Sequence, residues 1–309
     1  MLVQNIKDYG DLLDNPKLLR IKDEGDYWVV KYTHKAFWDN LWDQYPLLKQ
    51  ARGHIFEKST GNIVTRPFSK VMNYGENGAG LGIDPEASVV AVEKVNGFLG
   101  VVTCLPNGER LYSTTGTLSS DYANLVKKHC ENLDLFSNDP AKTNAPLTWL
   151  FEICDESDPH IVSEDVGAYL IGLRNNESGY CFPEDVLDIL SSHLMCHRPV
   201  QRVVKFKDIL QEAKECRHEG FMIRDVNTGE YLCKLKSPYY LFTKFLARLR
   251  NEDKLRSVWG NDQLIQSRYG EEFIDIFAQL RDSVSVDEFL DTPEQDRIEM
   301  IRRIVYEKV

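Results

Sequence analysis

The feature that most constrains this chain is a change of period near Tyr240. Upstream, eight short runs carry a strand pattern: DYWVVKYT, GHIFEKS, SVVAVEK, FLGVVTCL, LTWLFEIC, AYLIGLR, EGFMIRD and EYLCKLK. They are rich in Val, Ile, Tyr and Phe and are separated by Gly, Asn and Pro, as strands of a packed sheet are. Asn107-Gly108 and Thr228-Gly229 supply hairpin turns, and Ser119 or Ser120 caps a helix through DYANLVKKHC. Downstream, Leu241, Phe242, Phe245, Leu246 and Leu249 repeat at helical spacing, with Lys244, Arg248 and Arg250 mostly on other faces. EEFIDIFAQL gives a further helix. In DTPEQDRIEMIRRIVY, Thr292 is expected as N-cap, Pro293 as first helical residue and Gln295 as the capping-box partner. Strands followed by helices favour an α+β fold over a doubly wound sheet. The expected division is 1–240 for the mixed body and 241–309 for a small all-helical C-terminal domain.

Composition narrows the function. A net charge of −11 speaks against a broad phosphate-binding surface, although a basic groove can sit on an acidic protein. HRPVQRVVKFK and KFLARLRNEDKLR are locally basic and read as solvated surface. The seven cysteines are scattered without a CxxC pair, as in a reducing compartment. HLMCH lacks the matching second pair that a zinc site needs. No apolar run approaches the roughly 20 residues that span a bilayer, and the N-terminus has no basic-then-apolar leader. A cytoplasmic protein without a membrane partner is expected, in the host cytoplasm if it is phage-encoded. Oligomeric state is not readable from the sequence.

The chemistry gathers around VVAVEKVNGFLGVV. Lys94 ends one apolar run, and Asn96-Gly97 opens a turn before the next. Alone, this reads equally as a hairpin with a snorkelling lysine. Three later runs add charges that a packed strand does not need: Glu152 in WLFEIC, Glu219-Gly220 before FMIRD, and Lys234 with Lys236 in YLCKLKS. Two lysines two apart on a strand face one side, and their repulsion is relieved by an anion such as a triphosphate.

In order along the chain, Lys-x-Asn-Gly, a strand Glu, Glu-Gly and Lys-x-Lys resemble the motifs of the covalent nucleotidyltransferase superfamily. The pattern is most similar to phage-type ATP-dependent RNA ligases of the RNA ligase 1 branch. WLFEIC, EGFMIRD and CKLKSPYY stand at that family's third, fourth and fifth motifs, and IGLRNNESGYCFPEDVL resembles the segment between the third and fourth. ARGHIFE and TRPFSKVMNYGE resemble an upstream feature of the branch, with Arg52 and Lys70 contacting the ATP phosphates. The resemblance runs from about Arg52 to Tyr240.

It implies a nucleotidyltransferase fold of antiparallel sheets with flanking helices. Lys94 is the implied nucleophile, becoming lysyl-AMP and passing AMP to a 5′-phosphate on RNA; a 3′-hydroxyl then seals the break. Lys234 and Lys236 are the implied catalytic cations, and with Mg²⁺ (or Mn²⁺) they are expected to depress the Lys94 pKa. Glu152 and Glu219 are the implied metal ligands. Glu93 is assigned to the adenine amine or to plain surface, and Met222, rather than Phe221, to stacking on the purine. Asn96 and Gly97 complete the implied nucleotide site; Arg174 is a substrate contact or a structural pair. Two departures stand out: Asn96 replaces the usual Asp, and Thr115 stands before Gly116 where a basic residue is common. RNA repair in a phage-infected or bacterial cell is the expected role. The alternatives are another covalent nucleotidyltransferase (a DNA ligase or an RNA capping or adenylating enzyme) and a non-catalytic RNA-end binder.

Overall fold

The computed structural model describes residues 1–136, 146–249 and 251–306. Its strands, in chain order, are β1 (Leu19–Glu24), β2 (Tyr27–Tyr32), β3 (Arg52–Glu57), β4 (Ile63–Thr65), β5 (Ser88–Glu93), β6 (Phe98–Cys104), β7 (Arg110–Ser113), β8 (Leu147–Cys154), β9 (Gly167–Asn175), β10 (Gln201–Lys205), β11 (Gly220–Asp225) and β12 (Tyr231–Lys236). Among the described residues they form three antiparallel four-stranded sheets, ordered β1-β2-β3-β4, β10-β5-β11-β12 and β7-β6-β8-β9. The helices are α1 (His34–Trp38), α2 (Asp121–Cys130), α3 (Glu184–Leu194), α4 (Phe206–Glu215), α5 (Pro238–Arg248), α6 (Glu252–Trp259), α7 (Asp262–Tyr269), α8 (Glu272–Ser283), α9 (Val286–Asp291) and α10 (Glu294–Ile301). This is the expected α+β arrangement, with helices flanking antiparallel sheets and further helices at the C-terminal end.

Residue alternation fixes which face of each sheet is core. In the β5 sheet, Ala91, Phe221, Ile223, Cys233 and Leu235 pack under α4 with Phe206 and Ile209. Period 2 therefore turns Val92, Met222 and Lys234 to the opposite face, where register pairs Met222 with both Val92 and Lys234. In the β6 sheet, Trp149, Phe151 and Ile153 pack with Val126 of α2 and Leu187 of α3. Glu152 turns the other way.

The four residues Lys94–Gly97 do not close a hairpin. They cross from β5 in one sheet to β6 in another. The Lys94 amide donates to Gly220 O at 2.8 Å on the first side, and the Gly97 amide donates to Glu152 Oε1 at 3.3 Å on the second. A side chain at Gly97 would put its Cβ 2.3 Å from the Ile153 carbonyl oxygen, so the crossing needs glycine. Gly220 is under a stricter demand: its φ is +122°, and a Cβ there would lie 1.9 Å from Leu235 O.

The C-terminal helices share a core built from Phe242, Leu246, Phe273, Phe277, Phe289 and Ile301. Ile161, from the loop between β8 and β9, is buried within it. Thr292 differs from expectation. It ends α9 with its hydroxyl donating to Glu288 O at 2.7 Å, and Pro293 precedes α10 without a side-chain cap. Both hairpin turns form as read, with Gly108 and Gly229 at positive φ, and Ser120 caps α2.

Candidate active site

A cavity of about 310 Å³ opens where the three sheets meet. Val92 and Met222 form one wall, Leu99 and Ile171 the facing one, and Tyr32 and Phe37 close it from the N-terminal side. Seven of the sequence-selected residues line it: Arg52, Lys70, Glu93, Lys94, Glu152, Met222 and Lys234. Asn96, Gly97, Glu219 and Lys236 are outside that lining; Asn96, Lys236 and Lys94 all meet Glu219, and Lys236 lines an adjoining pocket with Lys70 and Lys234. Phe221 is core, as alternation requires. Arg174 is structural: buried, it donates to Pro67 O at 2.8 Å and Gly179 O at 2.9 Å.

The Lys94 ammonium is clamped by carboxylates. Its Nζ lies 3.0 Å from Glu219 Oε2 and 3.8 Å from Glu152 Oε1. Glu219 is 2% exposed, and its other oxygen meets Lys236 Nζ at 2.9 Å. Burial pulls the Lys94 pKa down, but Glu152 and Glu219 outweigh it, and the net shift is upward. This corrects the expectation that Lys234 and Lys236 depress it. Lys236 spends its charge on the same carboxylate, so the local field at Lys94 is negative. Burial raises the Glu152 carboxyl against the pull of Lys94, whereas Lys94 and Lys236 overcome burial at Glu219 and hold it low.

The cavity lining also carries the cations Arg52, Lys70 and Lys234. Burial, then Lys70, Lys236, Lys94 and Arg52, bring the Lys234 amine down to about 7. Lys70 is also lowered, chiefly by burial, and lies 5.0 Å from the Phe37 ring centroid and 3.7 Å from Glu76. An anion entering here relieves like-charge repulsion without displacing a protein carboxylate from Lys234.

The family model described as RNA ligase matches residues 50–240. The chain belongs to the RNA ligase family. A Thermovibrio ammonificans protein carrying a provisional RNA ligase name is 26% identical over 248 residues, 74% of this chain and 60% of its own length. A protein of Autographa californica nuclear polyhedrosis virus, provisionally named a bifunctional polynucleotide kinase/RNA ligase, is 23% identical over 85% of this chain and 39% of its own length. The chain thus spans less than two thirds of either relative. In fold it is similar to an archaeal ATP-dependent RNA ligase: TM-score 0.56, 17% identity, covering 97% of this chain and 76% of the other.

Several residues of this RNA ligase family member escaped sequence reasoning. Tyr240 stacks under Lys236, whose Nζ is 4.7 Å from the ring centroid, and burial and then Glu219 push its phenol up to about 12. Its only signal was its place just after the Lys-x-Lys strand. Glu164 accepts the Asn96 amide at 3.0 Å from a loop 68 residues away, a contact no local pattern encodes. The basic stretches are largely ion-paired: Arg198 with the buried Glu184 and with Asp188, and, at the surface, Arg202 with Glu212, Lys207 with Glu86, and Arg256 with Glu252 and Asp287. No described helix is long and apolar enough to cross a membrane.

Proposed function

We propose that this chain joins RNA ends bearing a 5′-phosphate and a 3′-hydroxyl, using ATP and a lysyl-AMP on Lys94. The observation that carries the reading is one cavity whose lining brings Lys94, ion-paired to Glu152 and Glu219, together with Arg52, Lys70 and Lys234. That is the charge layout a nucleoside triphosphate requires when it is attacked at its α-phosphorus: a positioned nucleophile, and positive charge where pyrophosphate departs.

Met222, Val92 and Ile171 offer apolar surface for a purine, with Met222 the stacking residue and Glu93, at the end of β5, within the lining for its polar edge. Arg52, Lys70 and Lys234 take the β- and γ-phosphates. Lys94 loses its proton, its Nζ bonds to the α-phosphorus, and the bond to pyrophosphate breaks. An RNA 5′-phosphate oxygen then displaces Lys94 from that phosphorus. A 3′-hydroxyl oxygen finally attacks the 5′-phosphorus, AMP leaves, and the strand is closed. Glu152 and Glu219 suit a hard divalent cation such as Mg²⁺ or Mn²⁺, because they already share one cation, the Lys94 ammonium. Among the described residues no group of three or more His, Cys, Asp or Glu is placed to cage a metal, so Glu152 and Glu219 would be its protein ligands. Held by Glu152 and Glu219, such an ion would supply positive charge in place of the Lys94 ammonium. The division into a nucleotidyltransferase body, 1–240, and a helical C-terminal domain, 241–309, belongs to the same proposal.

The test is sealing of a nicked or single-stranded 5′-phosphorylated RNA with ATP and Mg²⁺, with DNA ends and GTP as parallel arms. The expected result is ATP-dependent closure of RNA. Closure of DNA alone, or labelling by GTP alone, contradicts it.

A further inference from the structure

The loop 155–166, between β8 and β9, is fastened to the C-terminal helices in two ways. Ile161 is 2% exposed and lies in their core. Arg302, which follows α10, donates from Nε to Ile161 O at 2.9 Å and from Nη2 to Ile161 O at 2.6 Å and to His160 O. The next residue of the loop reaches the centre: the Val162 amide donates to Asn96 Oδ1 at 2.9 Å. Asn96 Nδ2 donates in turn to Glu219 Oε2 at 2.7 Å, the same oxygen that meets Lys94. Glu164 of this loop also accepts the Asn96 backbone amide.

The orientation of the Asn96 amide is dictated by its partners. A backbone N–H only donates and an ionised carboxylate only accepts, so Oδ1 faces Val162 and Nδ2 faces Glu219. Asp at this position keeps the first contact and turns the second into carboxylate against carboxylate. Asn96 is 4% exposed, so neither end has water as a substitute.

We propose that Arg302 is a positioning residue for nucleotidyl transfer, holding loop 155–166 so that Asn96 fixes the Glu219 oxygen against Lys94. The inference rests on the reading of Lys94 as nucleophile. It gives the C-terminal helices a part in the first chemical step, and it accounts for Asn rather than Asp in the Lys-x-Asn-Gly motif.

The test uses the full chain with Arg302→Ala, Arg302→Lys, Asn96→Asp and the Arg302→Ala/Asn96→Asp double variant. Two readouts are taken: the single-turnover rate of AMP loading across ATP concentrations, and hydrogen exchange by mass spectrometry. A misplacement of the reacting groups by a fraction of an ångström predicts loading about tenfold slower in Arg302→Ala, with the half-saturating ATP concentration within about twofold. Arg302→Lys, which keeps one donor, is expected to recover part of the rate. Asn96→Asp breaks the relay downstream, so adding Arg302→Ala to it lowers the rate no further. Exchange in Arg302→Ala rises in peptides covering 159–166 and 94–97 and stays unchanged in β2. Faster exchange confined to 159–166 with an unchanged rate, a uniform rise across the chain, or multiplying effects in the double variant each overturn the proposal. If the wild type loads no AMP, the functional reading fails, and the exchange pattern alone then decides whether the relay exists.

Discussion

Two lysines in one cavity are pushed in opposite directions. Lys94 sits among carboxylates and is held protonated, whereas Lys234 sits among cations and falls to about 7. Both are desolvated, so burial cannot account for the difference; the sign of the neighbouring charge does. The lesson concerns bookkeeping by residue type. Lys236 is close in sequence to Lys234 and was expected to act on Lys94 as a cation, but its ammonium is committed to Glu219. At Lys94 the carboxylates Glu152 and Glu219 outweigh the surrounding cations, whereas at Lys234 the cations, Lys236 among them, add to burial. The Lys94 amine is therefore held in its protonated form, while the Lys234 amine is held towards its neutral one.

The contrast can be broken from either end. Glu219→Gln removes the charge that organises Lys94, Lys236 and Asn96 together. AMP loading is expected to slow by about 10²-fold or more, measured as single-turnover label uptake. A rate within a fewfold of wild type means that the clamp is incidental.

Lys234→Met acts on the other end and has a smaller effect with a definite sign. The folded-state pKa of Lys234 lies below its unfolded value, so between about pH 7 and the ordinary lysine range the unfolded chain holds a proton that the folded chain lacks. Stability from this group therefore rises with pH across that window, and below about pH 7 the folded chain bears the full penalty. Lys94, whose pKa is raised, behaves oppositely: its contribution is complete below the ordinary lysine value and is lost above it. Lys234→Met is thus expected to be more stable than wild type at pH 6 by about 1–2 kcal/mol, the gain shrinking towards pH 10, by urea denaturation at each pH. The same variant is expected to weaken ATP binding by about tenfold or more. A stability gain that grows with pH contradicts the assignment.

The smallest effect sharpens the apolar side of the comparison. Met222→Ala trims the apolar wall proposed for the purine and leaves every charged side chain in place, although Lys234 is its cross-strand neighbour. The half-saturating ATP concentration is expected to rise by about threefold to tenfold with the maximal loading rate nearly unchanged. A fall in the maximal rate alone places Met222 elsewhere in the mechanism.

Much of this was legible in the chain. The eight strands read from pattern correspond to β2, β3, β5, β6, β8, β9, β11 and β12. Four strands lack a run of their own in the pattern, β1, β4, β7 and β10; β7 is implied by the Asn107-Gly108 hairpin, and all four are edge strands. An edge strand has one neighbour and a wetter face, so LRIKDE and QRVVK carry charges that blur the strand signal. The family resemblance put Met222 rather than Phe221 in the nucleotide site; in the structure Phe221 is core and Met222 lines the cavity. What the pattern did not carry was long-range: the contact of Asn96 with Val162 and Glu164, the carbonyls that take the Arg174 guanidinium, and the choice of Lys236 for Glu219. Charge partners set by tertiary packing have no period to betray them.

The Lys94 Nζ is the atom proposed to be loaded with nucleotide. Intact-mass analysis after incubation with ATP and Mg²⁺, followed by peptide mapping, tests it most directly. The account predicts a gain of one AMP on Lys94 that is absent from Lys94→Ala. A gain on another residue, or loading that persists in Lys94→Ala, contradicts it.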